Sequence, residues 1–133
     1  MIRALIAEDN PVNRELLREL LEARAFSVAE AGDGEEALKM IAQQPPDVLL
    51  LDLGMPKLDG FEVVRQIRQN PQSAHLRIVA VTAFAMRGDR EKAIQSGFDG
   101  YVSKPINALL LSAELDRVLN RSRDICEETS NSP

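Results

Sequence analysis

Tryptophan is absent, tyrosine, cysteine and histidine occur once each, and aromatic residues make up only 4% of the 133-residue chain. Each shortage closes off a class of chemistry. The lone Cys126 can form no disulfide within the chain and lies in a polar stretch near the C-terminus, which suits a reducing compartment. No histidine lies near it in sequence to make it a thiolate nucleophile. Without an indole to stack on a flavin, and without a Ser/Thr/Gly-rich phosphate loop after the first apolar run, a flavin carrier finds no support. Long apolar runs are missing too. None approaches the roughly 18 residues of a membrane span, and Met1 leads into an apolar strand with no basic region or cleavage site, so the expectation is a cytoplasmic protein without membrane contact. Positive charge is in deficit: 16 Lys and Arg against 21 Asp and Glu leave a net charge of −5. That is the wrong sign for a surface that binds nucleic acid by releasing counterions, and no direct nucleic-acid partner is expected.

What the chain does contain is an alternation. Short apolar runs at 2–7, 26–31, 48–53, 77–82 and 99–104 are each followed by a longer amphipathic segment, at 12–25, 35–44, 61–69, 87–96 and 108–121. Parallel strands need a crossover, and the crossover is normally a right-handed helix. The repeats therefore predict an α/β fold, a doubly wound (βα)5 unit with a five-stranded parallel sheet covered by helices on both faces. The runs at 2–7, 48–51 and 78–81 are nearly all apolar, as strands buried on both faces must be. The run at 26–31 mixes Phe26 and Val28 with Ser27, Ala29 and Glu30, and 99–104 is short and mixed, which places these two at the edges. The strand order 2-1-3-4-5 satisfies this pattern, although composition leaves other orders open.

Punctuation supports the boundaries. Asn10-Pro11 reads as an N-cap with proline at the first helical position, and Asp33 with Glu36 as a capping-box variant. Gln44-Pro45-Pro46 and Asn70-Pro71 stop the second and third helices, and Gly97 suits the C-terminus of the fourth. A single domain over 1–120 is expected, with 121–133 as a disordered tail or linker because it has too few apolar residues to pack.

In an open α/β sheet, ligands bind outside the carboxyl ends of the strands. Strand one exits into Glu8-Asp9, strand three ends at Asp52, strand four at Thr82, and strand five runs into Lys104. Three carboxylates, a hydroxyl and an ammonium would share one rim. Each has an ordinary reading: Asp52 as a turn residue, Glu8-Asp9 as favourable charge at a helix N-terminus, Thr82 as a cap, Lys104 as a solvated charge. Their convergence at four strand ends favours a site. Clustered carboxylates need a hard cation, and Mg²⁺ is the natural one. Glu8, Asp9 and Asp52 carry three negative charges, which Mg²⁺ and Lys104 would neutralise. A phosphoryl group entering such a site would meet a metal, an ammonium and a hydroxyl.

The blocks LIAEDN at 5–10, LLLDLGMPKLDG at 49–60, VAVTAFAM at 79–86 and YVSKPI at 101–106 resemble the response-regulator receiver family, over about residues 2–120. The wording is similar to single-domain regulators of the cell-division type and to the receivers of hybrid kinases. The resemblance implies a flavodoxin-like fold in two-component signalling, with Asp52 as phosphoacceptor. It implies Glu8 and Asp9 as the Mg²⁺-binding acidic pair, joined by Asp52 and the backbone carbonyl of Gly54, with Thr82 and Lys104 contacting the phosphoryl oxygens. It further implies a cis bond between Lys104 and Pro105, and Tyr101 as an aromatic switch moving with Thr82. The phosphodonor would be a histidine kinase or phosphotransfer protein, and the output a downstream protein target.

Two positions qualify the resemblance. Glu8 stands where Asp is frequent, and Gly54 places no side chain over the acyl phosphate, whereas Phe84 could shade it. Gly54 also counts against a phosphatase of the haloacid-dehalogenase type, which needs a second Asp two residues after its nucleophile. The segment from Arg87 to Ser96 offers mainly Ala93 and Ile94 to a core, so it is expected to shift cheaply. With Phe84, Met86, Tyr101 and the last helix it would form the output surface. The first helix, with Asn13, Arg14, Leu17, Arg18 and Leu21, is expected to dock the phosphodonor, its apolar positions reading equally well as core. His75, in a polar loop, reads as a surface residue.

Overall fold

A computed structural model describes residues 2–55, 59–83 and 89–131, the side chains of residue 89 and of residues 120–131 excepted. The elements alternate as β1 (Arg3–Ala7), α1 (Pro11–Ala23), β2 (Ser27–Ala31), α2 (Gly34–Gln43), β3 (Val48–Asp52), α3 (Gly60–Gln69), β4 (Arg77–Thr82), α4 (Asp89–Gln95), β5 (Gly100–Ser103) and α5 (Ala108–Asn131). All pairings are parallel, and the order is β2-β1-β3-β4-β5. This is the fold and order expected from the alternation.

Burial explains the order. Val48, Leu49, Leu50 and Leu51 of β3 are wholly inaccessible, because successive side chains point to opposite faces and both faces are covered. One face of the sheet, through Leu5, Leu49, Leu51, Ile78 and Ala80, packs on Ile41 of α2, Val63, Val64 and Ile67 of α3 and Ala93 of α4. The other, through Ala4, Ile6, Leu50, Val79, Val81 and Val102, packs on Leu17 and Leu21 of α1 and Leu111, Leu115 and Val118 of α5. Leu17 and Leu21 are therefore core residues, 1% and 0% exposed, and cannot belong to the docking surface expected of α1. The large apolar side chains that α1 leaves exposed are Val12 and Leu16. Ile94 of α4 is likewise exposed, at 38%, which leaves Ala93 as the buried side chain of that short helix among the described ones. Phe84 and Met86 lie outside the described residues. His75 is exposed, as expected. The helical backbone of α5 continues beyond residue 120 to Asn131.

The helix starts that border the strand ends are capped as read. Asn10 Oδ1 accepts from the amides of Val12 at 2.9 Å and Asn13 at 3.2 Å, with Pro11 opening α1. Asn10→Ala should cost about 1 kcal/mol, the usual value of an N-cap; a urea midpoint unchanged from wild type would show the cap to be idle. Asp33 Oδ1 accepts from the Glu36 amide at 2.8 Å, and Glu36 Oε1 accepts in return from the amide of Gly32 at 2.8 Å. Gly97 closes α4 with φ +112°, and the Lys104–Pro105 bond is cis.

The edge strand β5 is held by side chains of α5. Glu114 Oε2 accepts from the Tyr101 amide at 2.7 Å and pairs with Arg117 at 2.8 Å, while Arg117 Nη2 donates to the carbonyl of Asp99 at 3.0 Å. Burial works against ionisation of Glu114. The hydrogen bonds from Arg117 and the Tyr101 amide, with the charges of Arg117 and Arg90, outweigh it and hold the carboxyl below its usual range. A carboxyl depressed in the fold stabilises fully above its unfolded value, and that stability is lost as pH falls through the folded value. Stability should therefore decline on the acid side, and Glu114→Gln should be less stable at neutral pH with a shallower acid decline. Parallel pH profiles for the two proteins would refute this.

Candidate functional site at the carboxyl ends of the strands

Because all five strands run the same way, their last residues meet on one rim. Asp52 lies opposite Val81, one residue before Thr82, and Thr82 lies opposite Ser103, one residue before Lys104. The register thus brings together the residues marked in the sequence. Glu8, Asp52 and Thr82 are buried, at 1%, 5% and 2% exposure, whereas Asp9 is exposed. One carboxylate oxygen each from Glu8, Asp9 and Asp52 lies within 4.8 Å of the others.

Lys104 enters from β5 and sits between two of these carboxylates. Its Nζ donates to Glu8 Oε1 at 3.2 Å and to Asp52 Oδ2 at 3.3 Å. Glu8 Oε2 is 3.1 Å from the ammonium as a charge contact, but outside hydrogen-bond geometry, and it is buried with no hydrogen-bond partner among the described residues. Burial, then the charge of Asp52, raises the Glu8 carboxyl above its ordinary value despite Lys104. One ammonium does not satisfy this set of acids. An all-oxygen cluster with an orphaned buried carboxylate oxygen fits a hard divalent cation such as Mg²⁺.

The other oxygen of Asp52 is held locally. Its Oδ1 accepts from the amide of Gly54 at 2.9 Å, so Oδ2 is left facing Lys104. This contact was missed in the sequence, where the Asp-x-Gly spacing of an Asx turn was the available signal. Thr82 shares the α2–α4 face of the sheet with Ala80, since they are two residues apart on β4. Tyr101, opposite Ala80, is partly buried against that same cluster. Strand parity therefore puts Thr82 and Tyr101 on one side of β4 and β5, next to α4.

A doubly wound parallel sheet with an acidic, lysine-bridged rim defines a receiver-type signalling domain, and the known proteins agree. Residues 4–116 match the model of the response regulator receiver domain, and the chain belongs to that family. It is similar to the polar-differentiation response regulator DivK of Brucella anthropi, 39% identical over 103 residues that cover 77% of this chain and 84% of that protein. Among solved structures, the receiver domain of the sensor histidine kinase PA1611 of Pseudomonas aeruginosa superposes with a TM-score of 0.82 at 34% identity, covering 90% of this chain and 98% of that one. That structure has a magnesium ion coordinated in its active-site cleft. Vibrio cholerae CheY4 matches with a TM-score of 0.83 at 29% identity, over 90% of this chain and 99% of the other. No helix among the described residues is long and apolar enough to cross a membrane.

Proposed function

We propose that this receiver accepts a phosphoryl group on Asp52 from a histidine kinase or phosphotransfer protein in the cytoplasm, and controls a downstream protein through the face formed by α4, β5 and α5. The observation that carries the reading is the meeting of Glu8, Asp9 and Asp52 within 4.8 Å, with Lys104 against Asp52 Oδ2. Glu8, Asp9, Asp52 and the carbonyl of Gly54 would hold Mg²⁺, which when bound supplies positive charge to the phosphoryl oxygens. The Gly54 amide restrains Oδ1 of Asp52, and Oδ2 is the oxygen that attacks phosphorus. The bond from phosphorus to the donor imidazole nitrogen breaks as the acyl phosphate forms, and the nitrogen keeps that electron pair. Lys104 then has a phosphoryl oxygen to pair with, and Thr82 donates its hydroxyl to another.

The output follows from the shared face of Thr82 and Tyr101. Movement of the Thr82 hydroxyl toward the phosphoryl group opens space beside α4 into which Tyr101 can turn, biasing the position of a short helix anchored chiefly by Ala93. Turnover of an external substrate is not part of this function, because Gly54 offers no side chain to act as acid or base two residues after Asp52. The receiver unit is residues 1–120, with 121–133 as a tail or linker, and neither nucleic acid nor membrane is a direct partner. Incubation with acetyl phosphate and Mg²⁺, followed by intact mass, tests the core of this reading. A single phosphoryl adduct that requires Mg²⁺ is expected, and no adduct under any metal condition would overturn it.

A further inference from the structure

Glu8 is fixed by its backbone as well as by its side chain. Its amide donates to the Ala31 carbonyl of β2 at 3.1 Å, and its carbonyl accepts from Arg14 Nη1 of α1 at 3.0 Å. The Arg14 guanidinium is in turn paired through Nε with Glu30 Oε1 at 3.1 Å, each side chain being about a quarter exposed (27% and 28%). Arg14 thus spans from β2 to the one peptide that separates Glu8 from Asp9. Arg18, a turn later on α1, pairs with the same Glu30 and with Glu22, and among the described residues no hydrogen bond or ion pair joins it to the loop.

We propose that Arg14 is a positioning residue for the metal site. By gripping the Glu8 carbonyl against the Glu30 anchor, it sets the direction in which the Glu8 and Asp9 carboxylates leave the end of β1. Groups one step removed from a metal commonly fix its ligands in this way.

The sign of the effect separates this role from plain electrostatics. Arg14 brings a positive charge close to a cation site. If charge were its only influence, removing it would tighten Mg²⁺ binding. If it orients the loop, removing it weakens binding in spite of the lost repulsion.

The inference rests on the Mg²⁺-binding reading above, and the test separates the two. Mg²⁺ is titrated into ¹⁵N-labelled wild type, Arg14→Ala and Arg18→Ala, following the amides of residues 8–10 and 52–54, with metal-free urea midpoints measured in parallel. Wild type and Arg18→Ala are expected to bind alike, and Arg14→Ala about tenfold more weakly, as is usual for such outer partners. Unchanged or tighter binding by Arg14→Ala would overturn the positioning role, as would a lowered urea midpoint with unchanged Mg²⁺ affinity. Equal weakening in Arg18→Ala would overturn it too, by showing that any disturbance of the α1–Glu30 pairing, and not the grip on the Glu8 carbonyl, loosens the site. No saturable shift in the wild type would instead count against the metal site itself.

Discussion

Asp52→Asn is expected to abolish phosphoryl adduct formation completely and, in the absence of metal, to make the protein more stable. The first effect follows from chemistry, since an amide oxygen is too weak a nucleophile to form the acyl phosphate. The second follows from the crowding of charge. Asp52 and Glu8 are buried, share one ammonium and lie beside Asp9, so removing one charge relieves repulsion that Lys104 offsets only in part. The gain should be on the order of 1 kcal/mol, or about 4 °C in thermal midpoint for a domain of this size.

pH and metal sharpen the expectation. Glu8 is raised chiefly by burial and next by the charge of Asp52. A carboxyl raised in the fold costs stability as pH climbs through the range where it ionises in the native state. Metal-free wild type should lose stability on that climb, and Asp52→Asn should lose less. Mg²⁺ should reverse the ranking: at a hundredfold excess over Kd a ligand stabilises by about 2.7 kcal/mol, available to the wild type and largely forfeited by the variant. Thermal melts with and without Mg²⁺, beside intact mass after acetyl phosphate, read all of this. A phosphoryl adduct that survives the substitution would falsify the assignment of Asp52.

Lys104→Met should have the largest effect on stability. The methionine fills similar space, so the loss is of charge and of two hydrogen bonds, to Glu8 Oε1 and Asp52 Oδ2. Removing one partner of a buried ion pair typically costs 3–5 kcal/mol, because the remaining charge is left uncompensated. Lys104 is only 14% exposed, with Glu8 and Asp52 at 1% and 7% for their side chains, so the low end of that range, about 3 kcal/mol, is expected without metal. Added Mg²⁺ should recover part of it by replacing the missing charge. Urea denaturation at neutral pH, with and without Mg²⁺, checks both statements; metal-free stability equal to wild type would show that the lysine does not hold the acids.

The core of the site was readable because its residues sit at strand ends, where the chemistry of an α/β fold collects. Glu8, Asp52, Thr82 and Lys104 each end or follow an apolar run, and parallel pairing then has no choice but to set them on one rim. The edges were readable for a similar reason: Ser27 and Glu30 interrupt β2, whereas β3 has no polar residue before Asp52. Leu17 and Leu21 stayed open between docking surface and core because helical periodicity marks an apolar face without saying how far across it the core extends.

Other features had no sequence signal strong enough to find them. Arg68 of α3 donates to the carbonyls of Gly97, Ala74 and Leu76 and pairs with Asp99 at 2.9 Å, tying together the starts of β4 and β5 at the end opposite the site. Nothing near Arg68 in the chain announces partners 31 residues away. The same holds for Glu114 on the Tyr101 amide and Arg14 on the Glu8 carbonyl.

The sequence by itself determined the class of fold, the strand order most consistent with its apolar pattern, and the residue types that reach the rim, because these depend on period and polarity, which are local. Only the tertiary structure decided which oxygen of Asp52 faces Lys104, which oxygen of Glu8 is left without a hydrogen bond among the described residues, and which arginine of α1 reaches the acidic loop. Those outcomes are set by distances of a few ångströms between side chains far apart in the chain, and such distances exist only once both faces of the sheet are packed.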